Sequence, residues 1–196
     1  MDVKDAILAR RAYRSLEKAE ITDALVEDLI GFLKLAPSCF NNQPWRFVFV
    51  KDPDVLLQMQ QVMSKGNEWT FRDSMIVAVL SKKENDCVIY DREYCLFDTG
   101  MATAFMILRA TELGLVAHPI AGYSPKKTRA VLGIPDDWQV ITLVNIGKHS
   151  TELNPVMSEK QVADEKTRPE RLPDDEIASI DKFDPKLERK KPLQDS

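Results

Sequence analysis

The stretch from Tyr94 to Leu113 constrains the fold more than any other part of this 196-residue chain. It contains no proline, carries Met, Ala, Phe and Leu on nearly every face, and is followed by Gly114, a residue type that commonly ends helices. A helix that is apolar on most faces must be buried on most faces. The sequence therefore predicts a long helix that lies either at the centre of the fold or in the seam of a dimer.

Shorter elements surround this helix. Residues that favour helix N-termini are followed by helical patterns at Asp2, Thr22, Asp52-Pro53 and Ser124-Pro125. Aromatic and β-branched runs predict strands over residues 45–50, 75–80, 115–120 and 139–146. A helix-rich chain with interspersed strands is expected to form an α+β or three-layer α/β arrangement.

The composition changes after Gly147. Residues 1–150 have enough apolar positions for one domain, in a chain that is 44% hydrophobic and 30% charged overall. Residues 151–196 are rich in charge and proline and offer few core positions. Because such a segment cannot bury enough apolar surface alone, we expect it to be disordered or to lie as an arm across a partner surface.

Several classes of function find no support in the sequence. The net charge of −4 gives no general signal for nucleic-acid binding, and no apolar run approaches the ~20 residues needed to cross a bilayer. The first residues lack the layout of a secretory signal, which predicts a cytoplasmic protein. No GxSxG, P-loop or GxGxxG motif occurs.

The three cysteines, Cys39, Cys87 and Cys95, form no CxxC motif. Together with the only two histidines, His118 and His149, they show no zinc-like spacing, so no metal site is predicted. Each cysteine is expected to be a small buried apolar residue. Cys39 is the cysteine of most interest, because it lies within residues 37–45, the segment richest in candidate binding residues.

The first candidate binding motif is Arg10-Arg11-Ala12-Tyr13-Arg14, at the end of the first predicted helix. Arginine offers a rigid fork of donors that can hold a phosphate group through two hydrogen bonds. Three arginines within five residues would suit a phosphate monoester. The alternative, favoured on spacing alone, is a solvated helix end with favourable charge–dipole interactions.

The second motif is the polar loop from Pro37 to Trp45, which contains Ser38, Asn41 and Gln43. Asn and Gln each carry a donor and an acceptor, and can match a heterocycle edge that alternates the two, such as the pyrimidine edge of a flavin. An ordinary turn is an equally good interpretation of this loop taken alone.

The third motif runs from His118 through Pro119, Ile120, Ala121 and Gly122, directly after a predicted strand. Glycine at this point would permit close approach of a ligand to the backbone. A plain strand-to-helix turn is the more common meaning of such a pattern, and His118 alone is more often structural than catalytic.

Taken together and in this order, these motifs resemble the FMN-dependent nitroreductase family. The most specific piece is Ala36-Pro37-Ser38 followed by Asn41 and Gln43-Pro44-Trp45, and further similarity lies at 110–115, 119–122, 132–135 and 146–147. The resemblance covers about residues 3–148 and extends weakly into the tail. It implies a nitroreductase-like α+β fold of three α/β/α layers with a central mixed or antiparallel sheet, and an intertwined homodimer with FMN at the subunit interface.

The resemblance also implies roles for particular residues. Arg10, Arg11 and Arg14 match phosphate and ribityl contacts, with Ala12 where relatives often carry serine. Ser38, Asn41 and Gln43 match contacts to the ribityl chain or ring. Pro119, Ile120, Ala121 and Gly122 form the turn whose backbone faces flavin N5, and Ala121 replaces an acidic residue of some members. In the tail, Arg168 or Arg171 resembles an arginine that returns to the phosphate.

The expected function is therefore ping-pong hydride transfer from NAD(P)H, through FMN, to a small acceptor such as a nitroaromatic, a quinone or an enone. No catalytic side chain is assigned. Two alternatives stay open: a specialised FMN reaction such as reductive dehalogenation or flavin fragmentation, and a flavin-binding dimeric module without turnover. A nucleic-acid binder that uses Arg10–Arg14 has little support, because no aromatic stacking platform accompanies these charges.

Overall fold

A computed structural model describes residues 1–188 of the chain. It divides into two compact units, Met1–Lys166 and a second unit that begins at Thr167. The predicted division lay at 150/151, so the first unit extends sixteen residues further. The reason is that residues 151–166 hydrogen-bond back into it: the side-chain amide of the buried Asn154 donates to the carbonyl of Trp69, and the Glu165 carboxylate accepts two backbone N–H groups. Residues 189–196 of the predicted tail lie outside the described residues.

A five-stranded antiparallel sheet forms the middle of the first unit. Its strands are β1 (Leu16–Glu17), β2 (Arg46–Val50), β3 (Met75–Ser81), β6 (Leu115–Ile120) and β7 (Gln139–His149); β4 (Val88–Ile89) and β5 (Arg92–Glu93) form a separate hairpin. β7 pairs with β3 and β1 as well as with β6, and β2 completes the sheet beside β3. The mixed-sheet alternative does not occur, because each of these pairs is antiparallel.

Residues 1–188 form six α-helices: α1 (Val3–Ala9), α2 (Asp23–Leu33), α3 (Pro53–Met59), α4 (Tyr94–Glu112), α5 (Pro125–Leu132) and α6 (Glu159–Lys166). The predicted N-cap residues act as such, since the side chains of Asp2, Thr22, Asp52 and Ser124 each accept a backbone N–H of the following helix. Gly133 ends α5 with a φ of 64°, in the left-handed region that glycine adopts without strain.

The core has two parts, one on each face of the sheet. β3 is buried along its whole length, and its residues alternate between the two parts: Met75, Val77 and Val79 face α2 and α4, whereas Ile76, Ala78 and Leu80 pack with residues of α3 and with Trp69. A strand that is buried on both faces has a sequence that is apolar throughout. The three-layer α/β/α prediction is therefore confirmed.

The long central helix is buried on only one side. Ala102, Met106 and Ala110 of α4 pack toward the sheet, while Leu96, Phe97 and Phe105 are exposed in the single chain. Within residues 1–188, no helix is both long and apolar enough to span a membrane.

Candidate functional site

The arginine segment, residues 10–14, connects α1 to β1 in an irregular conformation. Arg10 caps the C-terminus of α1 through its backbone N–H, which donates to the carbonyl of Ala6. The side chains of Arg10, Arg11 and Arg14 are half-buried, and Ala12 is exposed. The segment thus holds three guanidinium groups at one edge of the sheet, as part of an ordered turn and not a frayed helix end.

Helix α6 docks on this segment, a contact that the sequence analysis did not predict. The guanidinium of Arg11 donates to the carbonyls of Asp164 and Glu165, at 2.8 and 3.1 Å, and so satisfies carbonyls at the end of α6. The Glu165 carboxylate accepts the backbone N–H groups of Arg14 at 2.8 Å and Ser15 at 3.0 Å. Glu165 is only 6% exposed. A buried carboxylate therefore fixes the backbone of the arginine segment from below.

Aromatic stacking completes the segment. The ring of Tyr13 stacks on His149 with 3.7 Å between centroids, and the Arg11 guanidinium lies 4.7 Å from the Tyr13 ring centroid. The other histidine, His118, donates its Nδ1–H to the Tyr13 carbonyl at 3.0 Å and stacks on Trp69. Burial lowers the pKa of His118 to about 4, so the ring is neutral near pH 7. These contacts identify His118 as a structural residue.

The amide loop, residues 38–43, has an unusual backbone. Phe40, Asn41 and Gln43 all adopt positive φ, at 48°, 57° and 50°. The Ser38 hydroxyl accepts the backbone N–H of Gln43 at 3.0 Å, and the Gln43 side-chain amide donates to the Asn41 carbonyl at 3.2 Å. Left-handed conformations are costly for residues other than glycine and occur mainly where surrounding structure enforces them. The loop presents Asn41 and Gln43 to solvent in a fixed conformation.

Two acidic residues and a disulfide hold the amide loop in place. Asp98, a buried residue of α4, accepts the backbone N–H of Cys39 at 2.7 Å. Asp86 accepts the side-chain amide of Asn42 at 3.3 Å and the backbone N–H of Cys87 at 2.8 Å. Burial and the neighbouring Asp86 raise the pKa of Asp98.

The cysteines differ from the sequence-based expectation. Cys39 and Cys87 form a disulfide with 6.0 Å between their Cα atoms, so the prediction that they are small buried apolar residues was wrong for both. Only Cys95 is a buried free thiol. The two bonded residues are 48 positions apart, and no local spacing marks such a pair.

The turn after β6 is the third predicted piece of the site. Pro119 and Ile120 end the strand, Ala121 is exposed, and Gly122 packs against Asn67. The Asn67 side-chain amide donates to the Gly122 carbonyl at 2.9 Å, and a Cβ at Gly122 would clash with the same nitrogen. A larger residue at position 122 would therefore displace the Asn67 side chain from this hydrogen bond. Asn67 also accepts the Trp69 indole N–H, a role that the sequence did not reveal.

The structure brings two of the three motifs together within one chain. The arginine segment and β6 meet through the hydrogen bond between Tyr13 and His118, three residues before Ala121. The amide loop is held instead by residues 86–98, at the start of α4. Arg168 and Arg171 belong to the second unit, where both are exposed.

The donor set of these motifs fits a phosphorylated flavin. Guanidinium groups match a phosphate, and exposed side-chain amides match the alternating donors and acceptors of a pyrimidine edge. Thiolates of Cys39 and Cys87, together with the Asp86 carboxylate, could also hold a metal ion, because their ligand atoms lie within 4.8 Å of one another. In the structure these two sulfurs are bonded to each other instead.

Comparison with known proteins gives a consistent result. The family described as the nitroreductase family matches residues 7–148. A relative from Archaeoglobus fulgidus, named "Putative NADH dehydrogenase/NAD(P)H nitroreductase", is 28% identical over 170 residues, which cover 85% of this chain and 93% of the relative.

Solved structures share the fold. A crystal structure described as an oxidoreductase containing FMN superposes with a TM-score of 0.79 at 24% identity, and covers 94% of each chain. A protein from Exiguobacterium sibiricum, solved in complex with FMN, superposes with a TM-score of 0.76 at 20% identity, and covers 91% of this chain and 97% of that one.

Proposed function

This chain belongs to the nitroreductase family, and from that premise we propose that it is an FMN-dependent oxidoreductase. It takes a hydride from NAD(P)H and passes it to a small acceptor such as a nitroaromatic, a quinone or an enone. The A. fulgidus relative carries NAD(P)H nitroreductase in its name, and the E. sibiricum fold neighbour was solved with FMN. Both facts favour the proposal.

One observation carries the proposal: an ordered arginine segment and a rigid, solvent-facing amide loop occur in the same small fold. Arg10, Arg11 and Arg14 would hold the phosphate, with Arg168 or Arg171 as a further partner. Arg11 uses one of its nitrogens on α6 and has other N–H donors for the phosphate. Ser38, Asn41 and Gln43 would contact the ribityl chain and the ring.

FMN, when bound, supplies an N5 atom that accepts and donates hydride. The protein's own contribution is orientation and electrostatics. Backbone groups at Ala121 and Gly122 would face N5, and the hydrogen bonds of Asn67 fix this turn in place. Neutral His118 supports the arginine segment through the hydrogen bond from its Nδ1–H to the Tyr13 carbonyl.

The apolar side of the helical layer supports a homodimer. Val3, Ile7, Phe97 and Phe105 are all exposed, and an apolar cavity of 260 Å³ lies between α1, α2 and α4 on the same side. Exposed apolar patches of this kind mark interaction surfaces. A second copy of the chain would cover the exposed face of α4 and bring its amide loop to the arginine segment of the first. Since residues 151–166 pack on their own subunit, the arm that would lie along the partner begins at Thr167.

We propose a cytoplasmic location, because reduced nicotinamide, the donor that this reaction needs, is found there. The acceptor would follow the donor into the same site, which gives ping-pong kinetics.

Arg14→Ala tests the phosphate assignment. We expect the variant to bind FMN at least tenfold more weakly, a loss of about 1.4 kcal/mol. Arg129→Ala, in α5, is the matched control and should bind FMN normally. The measurement is quenching of flavin fluorescence during titration of the apoprotein, followed by NADPH oxidation with a quinone as acceptor. Wild-type protein that is colourless as purified and does not bind added FMN would rule out the proposed function.

A further inference from the structure

The Cys39–Cys87 disulfide joins the amide loop to the residues that precede α4. Both cysteines are half-buried, and Phe40, beside Cys39, is 87% exposed. A small thiol reagent can therefore reach this region. Cys95, by contrast, is buried within α4.

The disulfide restrains a loop whose backbone is intrinsically unfavourable. Three of the four residues from Phe40 to Gln43 have positive φ, and none of them is glycine. Phe40 is the most unusual, because bulky side chains rarely adopt this region. Such a conformation persists only where several restraints act on it together.

The restraints converge on Cys39 and Asn42. Cys39 is held covalently by Cys87 and through its backbone N–H by Asp98. Asn42 is held by Asp86, and its amide also contacts the Cys87 sulfur at 3.4 Å. Since the Asn42–Asp86 bond is exposed to water, it contributes little. Once the S–S bond is broken, the loop keeps the part-buried hydrogen bond from the Cys39 N–H to Asp98 and the water-exposed hydrogen bonds around Gln43, but it loses its one covalent tether.

We propose that Cys39 and Cys87 form a redox-active pair that controls whether the amide loop is fixed for cofactor binding. This inference rests on the proposed function, because it takes the amide loop as part of the flavin site. The disulfide form fixes Asn41 and Gln43 for binding, and the dithiol form releases them. Disulfides of cytosolic proteins are usually transient or redox-sensing, and a loop tether of this kind is suited to such a role.

The chemistry is an exchange with a dithiol reductant. One thiolate of the reductant attacks a sulfur of the Cys39–Cys87 bond and releases the other cysteine; the second thiolate of the reductant then attacks the reductant's own sulfur in the mixed disulfide and releases the remaining cysteine. The protein S–S bond breaks, and Cys39 and Cys87 each gain a proton. The reductant supplies both electrons and both protons and leaves as its own cyclic disulfide.

The first measurement counts thiols. Full-length protein is purified without reductant, exposed to a mild thiol oxidant, unfolded and alkylated, with a chelator present throughout to keep metal from the thiolates. We expect one alkylated cysteine, Cys95, and three after treatment with dithiothreitol. Three free thiols after oxidation would overturn the proposal.

The second measurement follows the loop without any flavin. Amide hydrogen exchange of residues 39–43 in the apoprotein should accelerate at least fivefold after reduction and removal of the dithiothreitol. Exchange within β3 should not change. The Cys87→Ser variant should exchange like the reduced protein, whereas Cys95→Ser should match wild type in both states. Equal exchange of the loop in both redox states would refute the mechanism.

The third measurement is FMN affinity of the two redox forms, determined by flavin fluorescence. Reduced protein and Cys87→Ser should bind at least fivefold more weakly than the disulfide form. If both forms bind FMN equally, the redox pair does not control the site, although the proposed function stands. If the disulfide form binds no FMN at all, the proposed function fails. Amide hydrogen exchange of residues 39–43 then decides alone whether the Cys39–Cys87 pair restrains the loop.

Discussion

Burial favours the neutral form of two ionisable residues in this fold, and His118 is the clearer case. Its ring is 7% exposed, bonded to the Tyr13 carbonyl and stacked on Trp69. Because its pKa falls from 6.5 to about 4 on folding, the unfolded chain takes up a proton between these pH values and the folded chain does not. The free energy of unfolding should therefore decrease as the pH is lowered from 7 to 4, by up to about 3 kcal/mol.

This pH dependence can be measured by urea unfolding at a series of pH values. His118→Phe retains a ring to stack on Trp69 but cannot titrate, so its unfolding free energy should depend less on pH. A variant at the other histidine, His149→Asn, keeps His118, so its unfolding free energy should still show the pH dependence that His118 causes. If wild type and His118→Phe show the same slope, the buried neutral state of His118 is contradicted.

Asp73 is a second buried ionisable residue, and its effect has the opposite sign. Both of its carboxyl oxygens are buried without a hydrogen-bond partner, and burial raises its pKa well above 3.8. The folded state therefore retains a proton that the unfolded chain loses, and stability falls as the pH rises above about 4. The positive charge of Lys18, which donates to the Asp73 backbone carbonyl, lowers the pKa of Asp73 and so offsets part of the effect of burial.

Asp73→Asn removes the ionisation while keeping the shape of the side chain. We expect it to stabilise the protein at pH 7, because the amide has no proton that burial forces the folded state to retain, with a gain of about 1.4 kcal/mol for each unit by which burial raises the pKa of Asp73, and to have a much smaller effect near pH 3. Asp91→Asn, in the exposed turn between β4 and β5, serves as control. Thermal unfolding at the two pH values gives the comparison, and a destabilised Asp73→Asn protein at pH 7 would contradict this account of the residue.

Among the elements, α6 is held by residues about 150 positions earlier in the chain. Its Glu165 carboxylate accepts the N–H groups of Arg14 and Ser15, and Arg11 returns two hydrogen bonds to its last carbonyls. Glu165→Ala would leave two amides without partners in a buried site. It should cost about 2–4 kcal/mol of stability, because hydrogen bonds to charged groups contribute ~1.5–3 kcal/mol each and are only partly additive.

The conservative variant separates the hydrogen bonds from the charge. Glu165→Gln keeps one acceptor oxygen and should recover part of the lost stability. Glu159→Ala, at the exposed start of the same helix, should have little effect. Denaturant unfolding of the three variants provides the measurement. Equal stability of Glu159→Ala and Glu165→Ala would show that α6 does not stabilise the arginine segment in this way.

The elements also show which features local sequence can predict. The helices that begin at Asp2, Thr22, Asp52 and Ser124 were predicted because the cap and the apolar pattern lie within a few residues of each other. β1 was missed, because a two-residue strand is defined only by its pairing with β7. Helix α6 lies in a charged segment, and its stability comes from the arginine segment about 150 residues earlier.

The candidate site follows the same division. The arginine segment, the amide loop and the turn at Gly122 could be proposed from the sequence, because each is contiguous in it. Their supports were missed: Asp98 for Cys39, Asn67 for Gly122, and Cys87 for Cys39, each separated by about 50–60 residues from its partner. Only the folded chain brings such residues together, and a single sequence contains no signal for these contacts.

At the scale of the whole molecule, the exposed face of α4 is the main unexplained feature of a single chain. Phe97 is 64% exposed, and Val3 and Ile7 of α1 lie exposed in the same helical layer. Leaving such side chains in water forgoes about 1.5–3 kcal/mol for each one that could be buried. The proposed dimer would bury them and would join the amide loop of one copy to the arginine segment of the other.

Phe97→Glu tests the dimer and the site together. A charge in an apolar interface should dissociate the dimer, because each subunit would bury an unpaired carboxylate. If FMN binds between the subunits, the same variant should lose FMN in proportion to its dissociation.

The control is Leu57→Glu, a similarly exposed apolar position on α3, on the other side of the sheet; it should remain dimeric and bind FMN. Sedimentation velocity with detection at the flavin absorbance measures the association state and the bound FMN in one experiment. A Phe97→Glu protein that sediments as a monomer yet carries full FMN would place the whole cofactor site within one chain, and a monomeric wild type would leave the exposed face of α4 to some other partner.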